Sequence, residues 1–322
     1  MKALAEQIHA LGLKAGIYST PWVTSYATRA GGSAETADGA WTKPVIEKKG
    51  NVNRRVLPWA IGRYHFMKAD ADQWAAWGFD YLKYDWNPIE APDVKEMGDA
   101  LRASGRDIVY SLSNHASIDG AADWAKLANA WRTTGDIRDT WKSMSTIGFS
   151  QDPWQAFGGP GHWNDPDMLV VGVVGWGPKL HPTGLTADEQ YTHISLWCLL
   201  SAPLLIGADM DRLDPFTLSL LTNDEVLALD QDALGHPASR VVHAGNLQIW
   251  EKPLSDGSVA VGLFNLGEAP AKMTGSWADL GLSGVQIVRD LWRQRDVGTY
   301  QDAFTVSVGA HGVFLFKATP VR

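Results

Sequence analysis

Up to about residue 235 the sequence alternates short apolar segments with segments of helical periodicity, which is the pattern of parallel βα units. Six strand candidates each end on a polar residue: Tyr18, Asp85, Ser113, Asp136, Asp167 and Asp209. Because parallel strands with polar groups at their carboxyl ends form the catalytic face of a (β/α)8 barrel, we expect that fold. An open, doubly wound sheet is the alternative, but no glycine fingerprint for a dinucleotide follows any of these strands.

Helix signals lie between these strands. Leu4, Ile8 and Leu11 are spaced as one face of a predicted N-terminal helix that Gly12 ends, and Thr186 is placed to begin another helix. The segment from about residue 20 to 65 is polar and longer than an ordinary connection, so we interpret it as a lid or a substrate loop. The stretch between WRTTGDI (131–137) and GHWNDPDM (161–168) is also interpreted as polar connection.

The pattern changes near Ser239. Short alternating runs such as LQIWEKP and GVFLFKA, separated by Gly, Ser and Asp turns, predict an antiparallel β-domain. We therefore expect a barrel domain over residues 1–237 and a C-terminal β-sandwich over residues 238–322.

Composition excludes several classes of protein. A net charge of -8 without a long basic run argues against a nucleic-acid surface, and no apolar stretch is long enough to cross a membrane. Cys198 is the single cysteine, so an internal disulfide or a cysteine-based metal site is excluded, and a small core residue is expected. The 16 tryptophans suit stacking on sugar rings, although large aromatic residues also simply fill cores.

Asp85 and Asp136 are the candidate catalytic pair. They end strand candidates separated by one unit, so in a barrel both carboxylates would project into one mouth. Two carboxylates about 5 to 5.5 Å apart support glycoside hydrolysis with retention, and a wider pair supports inversion. Lys83 precedes Asp85 on the same strand face, where its charge would keep that aspartate ionised, and Arg132 stands similarly upstream of Asp136. The alternative is that both aspartates are helix caps or loop carboxylates.

Three motifs carry a family resemblance: YLKYDWN (81–87), WRTTGDIRDTWKS (131–143) and GPGHWNDPDMLVVG (159–172). In this order they resemble glycoside hydrolase family 27, the α-galactosidase and α-N-acetylgalactosaminidase family, and the likeness continues through SAPLLIGADM, LALDQDALG and IWEKPL. The resemblance implies a retaining enzyme without metal or cofactor, with Asp85 as nucleophile and Asp136 as general acid/base. Its substrates would be α-galactoside oligosaccharides or glycoconjugates.

The same resemblance assigns sugar contacts. They fall on Tyr18, Lys83, Arg132, Asp167 and, lining the pocket beside it, Met168. Plain packing is the alternative reading for Tyr18 and Met168. His115 and His162 lie near the same mouth and receive no catalytic role.

Two features depart from the family pattern. Family members begin with two more βα units that carry a pair of adjacent aspartates for the 4- and 6-hydroxyls, and here Met1 opens inside the helix before the third strand. We therefore expect a barrel lacking its first two units, weak or absent activity for this chain, and a homo-oligomer as one way to supply the strands. No signal peptide is recognisable, whereas the full-length form is expected to be secreted or periplasmic. In addition, no cysteine is available for the disulfide that animal and plant members have beside the nucleophile.

The segment YSLSNHAS (110–117) bears on the sugar's carbon 2. Galactose-specific members usually present a glutamate there, whereas members specific for N-acetylgalactosamine have serine and alanine, and Ser113 and Ala116 occupy the corresponding positions. Many bacterial relatives with small residues at this position resemble galactosidases, so galactose stands first and N-acetylgalactosamine second. An inactive, sugar-binding barrel fragment is the alternative from a different class.

Overall fold

The computed structural model describes residues 1–20, 67–175 and 179–321. The chain divides into two compact units, Met1–Arg132 (unit 1) and Thr133–Arg322 (unit 2). The segment interpreted as a lid or substrate loop lies almost entirely outside the described residues.

Unit 1 contains four β-strands, with helices before and between them. In chain order its elements are α1 (Lys2–Ala10), β1 (Gly16–Ser19), α2 (Met67–Trp77), β2 (Tyr81–Asp85), α3 (Ala91–Ala103), β3 (Val109–Ser113), α4 (Ala121–Leu127) and β4 (Ala130–Arg132). The strands are parallel and lie in the order β1-β2-β3-β4. This arrangement confirms the predicted parallel βα pattern and fits part of a (β/α)8 barrel.

The N-terminal helix leaves most of its apolar face exposed. Leu4 and Leu11 are 47% and 76% exposed, and the buried residue of α1 is Ala5. The helix also makes a polar contact: His9 Nε2 lies 2.7 Å from Asp80 Oδ2, and the same oxygen accepts the Ala15 N–H at 2.8 Å. Gly12 has a φ of +76°, which confirms it as the residue that ends this helix.

The first part of unit 2 is mainly helical. Its elements are α5 (Trp141–Phe149), β5 (Trp163–Asp165), β6 (Val173–Val174), β7 (His181–Pro182), α6 (Ala187–Leu199), α7 (Pro215–Leu221) and α8 (Asp224–Asp230). Thr186 and Glu189 form a capping box at the start of α6, as the Thr start predicted. The interpretation of the stretch between residues 137 and 161 as polar connection was wrong in part, because this stretch contains α5. Thr140 caps that helix by accepting the Ser143 N–H.

Helix α6 is the central element of unit 2. Its buried residues include Ile194, Leu196, Trp197, Cys198 and Leu199, and they pack in one core with residues of α5, α8 and the C-terminal strands. Gly148 lets α5 approach closely, because a Cβ there would lie 2.7 Å from a methyl of Leu196. Cys198 is fully buried, which confirms its interpretation as a core residue.

The C-terminal strands form a β-sandwich. They are β8 (Ser239–Ala244), β9 (Leu247–Pro253), β10 (Val259–Asn265), β11 (Ala271–Ser276), β12 (Gln286–Asp290), β13 (Arg295–Tyr300), β14 (Ala303–Val308) and β15 (Val313–Pro320). An antiparallel sheet of order β13-β12-β15-β10-β9-β8 is accompanied by the pair β11-β14. Val261, Leu263 and Phe316 of the larger sheet share a core with Met273 and Phe304 of the pair. The predicted β-sandwich is therefore confirmed.

A buried lysine joins this sandwich to the end of α6. Lys252 in β9 is fully buried, and its Nζ donates to Ser201 Oγ and, at 3.4 Å, to the carbonyl of Cys198. That carbonyl lies at the negative end of the helix. Burial lowers the pKa of Lys252 to about 8, although the nearby carboxylates of Asp230 and Asp232 partly oppose the shift.

This lysine should make stability depend on pH. An exposed lysine has a pKa of about 10.4, so between pH 8 and that value the unfolded chain holds a proton that the folded protein has released. The free energy of unfolding should therefore rise with pH across this window, by about 3 kcal/mol relative to a Lys252→Met variant. Urea unfolding of both proteins from pH 7 to 10 measures this, with the exposed Lys272→Met as matched control. Parallel curves for wild type and Lys252→Met would contradict the argument.

Candidate active site

Four neighbouring strands of unit 1 present polar side chains on one face. Tyr18 lies opposite Lys83, Lys83 opposite Ser111, and Asp85 opposite Ser113 in the parallel register. Residues in register share a face and residues two apart along a strand share it too, so these five side chains lie on the same side of the sheet.

Arg132 completes this polar face. Leu112 pairs with Trp131, so Arg132, one residue on, stands level with Ser113. The opposite face is apolar and buried, with Leu82, Leu112 and Trp131 at no measurable exposure. The sheet thus separates a hydrophobic layer from a polar surface at its carboxyl end.

Asp85 is the last residue of β2 and is 8% exposed. The chain beyond it stays paired with β3, because the Trp86 N–H donates to the Ser113 carbonyl at 2.7 Å and the Asn114 N–H to the Trp86 carbonyl at 3.2 Å. These bonds fix the backbone on the carboxyl side of Asp85. Lys83, half-buried two residues earlier, places a positive charge on the same face.

Ser113 and Ala116 lie at the end of β3. Ser113 is 2% exposed, and its Oγ has no hydrogen-bond partner among the described residues. Ala116 is also buried, and its N–H donates to the carbonyl of Arg132 at 2.8 Å. His115 between them has a φ of +58°, so the loop turns sharply and is fixed to β4. A buried hydroxyl without a partner is a natural donor or acceptor for a ligand.

Unit 2 carries the other predicted site residues. Strand β4 ends at Arg132 and β5 at Asp165, so Asp136 and Asp167 lie in the loops beyond these strands, where strand-terminal positions were predicted. Asp136 is exposed, whereas Asp167 is buried and adopts a φ of +84°. Asp209 follows a single parallel bridge between Leu169 and Ile206, not a strand.

The carboxylate of Asp167 contacts backbone on both sides. Its Oδ2 accepts the Ile137 N–H at 2.8 Å, and its Oδ1 accepts the Met168 N–H at 2.9 Å. Met168 is half-buried, and its sulfur lies against Gly207, where a Cβ would be only 2.6 Å away. Asp136, Asp167 and Met168 are thus brought together by one loop-to-loop contact.

One further residue of the polar face, and one residue beside it, were missed in the sequence. Ser111 stands level with Lys83, and the buried Trp86 Nε1 next to Asp85 has no partner among the described residues. The i, i+2 spacing from Ser113 would have indicated Ser111, whereas Trp86 has no signal in the sequence beyond its place beside Asp85.

The described part of the chain adds two negative observations. Among residues 1–20, 67–175 and 179–321, no group of three or more His, Cys, Asp or Glu side chains is placed to hold a metal ion. No described helix has the length and apolar character needed to cross a membrane.

Two family models and a curated relative match most of this chain. The family model described as Alpha galactosidase A matches residues 50–232, and the model for the alpha galactosidase C-terminal beta sandwich domain matches residues 244–318. Alpha-galactosidase 2 of Arabidopsis thaliana is 38% identical over 99% of this chain and 72% of its own length.

Solved structures show the same similarity. An alanine variant of a family 27 β-L-arabinopyranosidase from Geobacillus stearothermophilus, in complex with arabinose, has a TM-score of 0.88 at 29% identity, over 100% of this chain and 78% of that one. Alpha-galactosidase I from Mortierella vinacea has a TM-score of 0.81 at 30% identity, and the match covers 99% of this chain and 80% of that one.

Proposed function

The chain belongs to glycoside hydrolase family 27, the melibiase family, and we propose that it is a retaining exo-α-galactosidase with Asp85 as nucleophile and Asp136 as general acid/base. Its substrates are galactosides that end in α-linked galactose, as oligosaccharides or glycoconjugates. The observation that carries the proposal is the polar face of β1–β4, which ends in Asp85 at the carboxyl edge of a parallel sheet.

The proposed reaction has two chemical steps, formation of a galactosyl–Asp85 intermediate and its hydrolysis. Asp85 attacks the anomeric carbon, the glycosidic bond breaks, and Asp136 gives its proton to the departing oxygen. Water then attacks the same carbon, Asp136 takes a proton from that water, and the bond to Asp85 breaks. Two inversions return the α-configuration in the released galactose.

The surrounding side chains are proposed to bind the sugar. Lys83 and Arg132 would donate to its hydroxyls, Tyr18 and Met168 would line the pocket, and Asp167 would accept from a hydroxyl. All of these residues fall in the proposed barrel domain, residues 1–237, with residues 238–322 as the proposed β-domain.

A second candidate function rests on Ser113 and Ala116. The buried Ser113 hydroxyl without a partner among the described residues, next to a small alanine, suits an acetamido group on carbon 2 as well as a hydroxyl. An α-N-acetylgalactosaminidase is therefore the alternative, and galactose remains first.

The deciding experiment compares kcat/KM for an aryl α-galactoside and its 2-acetamido analogue, using the complete gene product. We expect the galactoside to be preferred by less than about a hundredfold, because the charged hydrogen bond of a glutamate, worth about 1 to 3 kcal/mol, is absent. Ser113→Ala should lower this preference several-fold, because the 2-hydroxyl loses a partner while an acetamido group gains room. Ser219→Ala, which changes an exposed serine of α7, should leave it unchanged.

Each contrary outcome has a definite meaning. A hundredfold preference for the acetamido sugar would make the second candidate the function. Complete rejection of it would show that Ser113 and Ala116 do not shape the pocket as argued. Hydrolysis of neither sugar would contradict the proposed function itself.

A further inference from the structure

The proposed acid/base lies next to a backbone amide that a buried carboxylate holds. Asp136 is exposed, and Ile137, the next residue, is 2% exposed and donates its N–H to Asp167 Oδ2 at 2.8 Å. The other carboxylate oxygen of Asp167 accepts the Met168 N–H at 2.9 Å. One side chain therefore fixes the backbone of two loops, one of which carries Asp136.

The backbone of Asp167 is held by two hydrogen bonds, and a third holds the same segment at Val170. Its N–H donates to Asp165 Oδ1 at 2.8 Å, and its carbonyl accepts the Trp197 Nε1–H at 2.7 Å. Three residues on, the Val170 N–H donates to His193 Nε2 at 3.1 Å. Burial lowers the pKa of His193 to about 3, so at neutral pH its ring is uncharged and can accept this bond.

The two anchors belong to the most buried helix of unit 2. Trp197 and His193 are fully buried in α6, and their rings contact each other edge to face with centroids 4.1 Å apart. The segment 167–170 is thus tied to the core of the unit. Asp167 also adopts a left-handed conformation, which is uncommon for residues other than glycine but which aspartate and asparagine adopt more readily than most.

We propose that Asp167 is a positioning residue for Asp136: it transmits the rigidity of α6 to the loop that carries the acid/base, through the Ile137 N–H. This inference rests on the proposed function, in which Asp136 transfers the proton. An acid misplaced by about 1 Å can cost roughly a hundredfold in rate, so a fixed backbone next to an otherwise exposed carboxylate has a clear catalytic value.

Asp167→Asn tests the proposal with little change in shape. Asparagine tolerates the left-handed conformation, but it offers one acceptor oxygen and an NH2 group that cannot accept a hydrogen bond from a backbone N–H. The measurement is kcat/KM of the complete gene product for aryl α-galactosides whose leaving groups range from dinitrophenol to unsubstituted phenol.

A positioning role predicts a loss that depends on the leaving group. We expect less than about tenfold loss with dinitrophenol, which departs without a proton, and about a hundredfold with phenol, which needs one. A residue that only contacts the sugar or supports the fold would lower every substrate by the same factor. A uniform loss for Asp167→Asn, with a graded loss for Asp136→Ala, would overturn the positioning role and leave the proposed function standing.

Asp136→Ala, measured with the same leaving groups, distinguishes a failure of the acid/base assignment from a failure of the positioning role alone. If that variant itself shows no dependence on the leaving group, the acid/base assignment fails, and the positioning role fails with it. Trp197→Phe, which keeps an aromatic ring and removes the donor to the Asp167 carbonyl, should show the graded loss in weaker form.

Hydrogen exchange gives a readout that needs no turnover. By mass spectrometry, the peptide containing Ile137 should exchange faster in Asp167→Asn than in wild type. Asp214→Asn, a matched carboxylate-to-amide change at the N-cap of α7, should leave that peptide unchanged. Asp167→Ala removes both acceptor oxygens, so unaltered exchange at Ile137 in that variant would overturn the proposal whatever the kinetics show.

Discussion

Asp85→Ala should lower kcat for an aryl α-galactoside by roughly 10⁴-fold or more while the protein stays folded. The variant lacks the only group proposed to bond to the anomeric carbon, so both chemical steps lose their path. Folding should be retained, because the change removes a carboxylate that is 8% exposed and leaves the backbone bonds of Trp86 and Asn114 intact. Initial rates and far-UV circular dichroism measure the two effects.

Azide makes this test specific to a nucleophile. In Asp85→Ala it can enter the vacated space, attack the anomeric carbon directly and displace the phenol, which gives β-galactosyl azide with inversion. Asp119→Ala, which removes an exposed carboxylate of the same unit, should keep wild-type rates and form no azide product. Near-normal activity of Asp85→Ala would contradict its assignment, and so would β-galactose as the first product of the wild-type enzyme.

The part of the fold that the sequence predicted well is the part set by hydrophobic period. β2 and β3 end at Asp85 and Ser113 as predicted, because each strand is a short apolar run that its neighbours bury on one face. The same holds for β9 and β15 of the larger C-terminal sheet, which correspond to the runs LQIWEKP and GVFLFKA.

Loop residues were predictable in identity but not in position. Asp136 and Asp167 lie in the loops beyond the ends of β4 and β5. The carboxylate of Asp167 accepts backbone N–H groups from both loops. A bond between a side chain and a backbone 30 residues away leaves no period in a sequence. The family motifs located both residues. The structure adds a physical role for Asp167, whose carboxylate accepts the Ile137 N–H next to Asp136.

Missed elements share a different cause. β13 is polar and mostly exposed at the edge of its sheet, so its pairing with β12, not its composition, makes it a strand. The helix α5 is short and begins at a threonine cap inside a polar stretch. Leu4 and Leu11 show that helical spacing alone does not determine burial, because both are largely exposed although the helix forms as predicted.

Asp136→Ala should produce the second largest effect, and its size should depend on the substrate. With unsubstituted phenol as leaving group we expect kcat/KM to fall by about 10³-fold, within the range that general acid catalysis supplies, whereas with dinitrophenol the fall should be tenfold or less. The departing dinitrophenolate is stable without a proton, so the first step barely needs the acid. For that substrate kcat should still fall, because water attacks the galactosyl–Asp85 intermediate without a base.

Azide again identifies the step, now with the opposite product. In Asp136→Ala it should attack the intermediate on Asp85, needing no base to do so, and give α-galactosyl azide with a rise in kcat for the dinitrophenyl substrate. Asp211→Ala, an exposed carboxylate of the same unit, is the control and should show neither the graded loss nor the azide product. Equal losses on all leaving groups would contradict the acid/base role. β-Azide from Asp136→Ala would show that its azide reaction bypasses the covalent intermediate, since the two variants must yield azides of opposite configuration if Asp85 and Asp136 divide the chemistry as proposed.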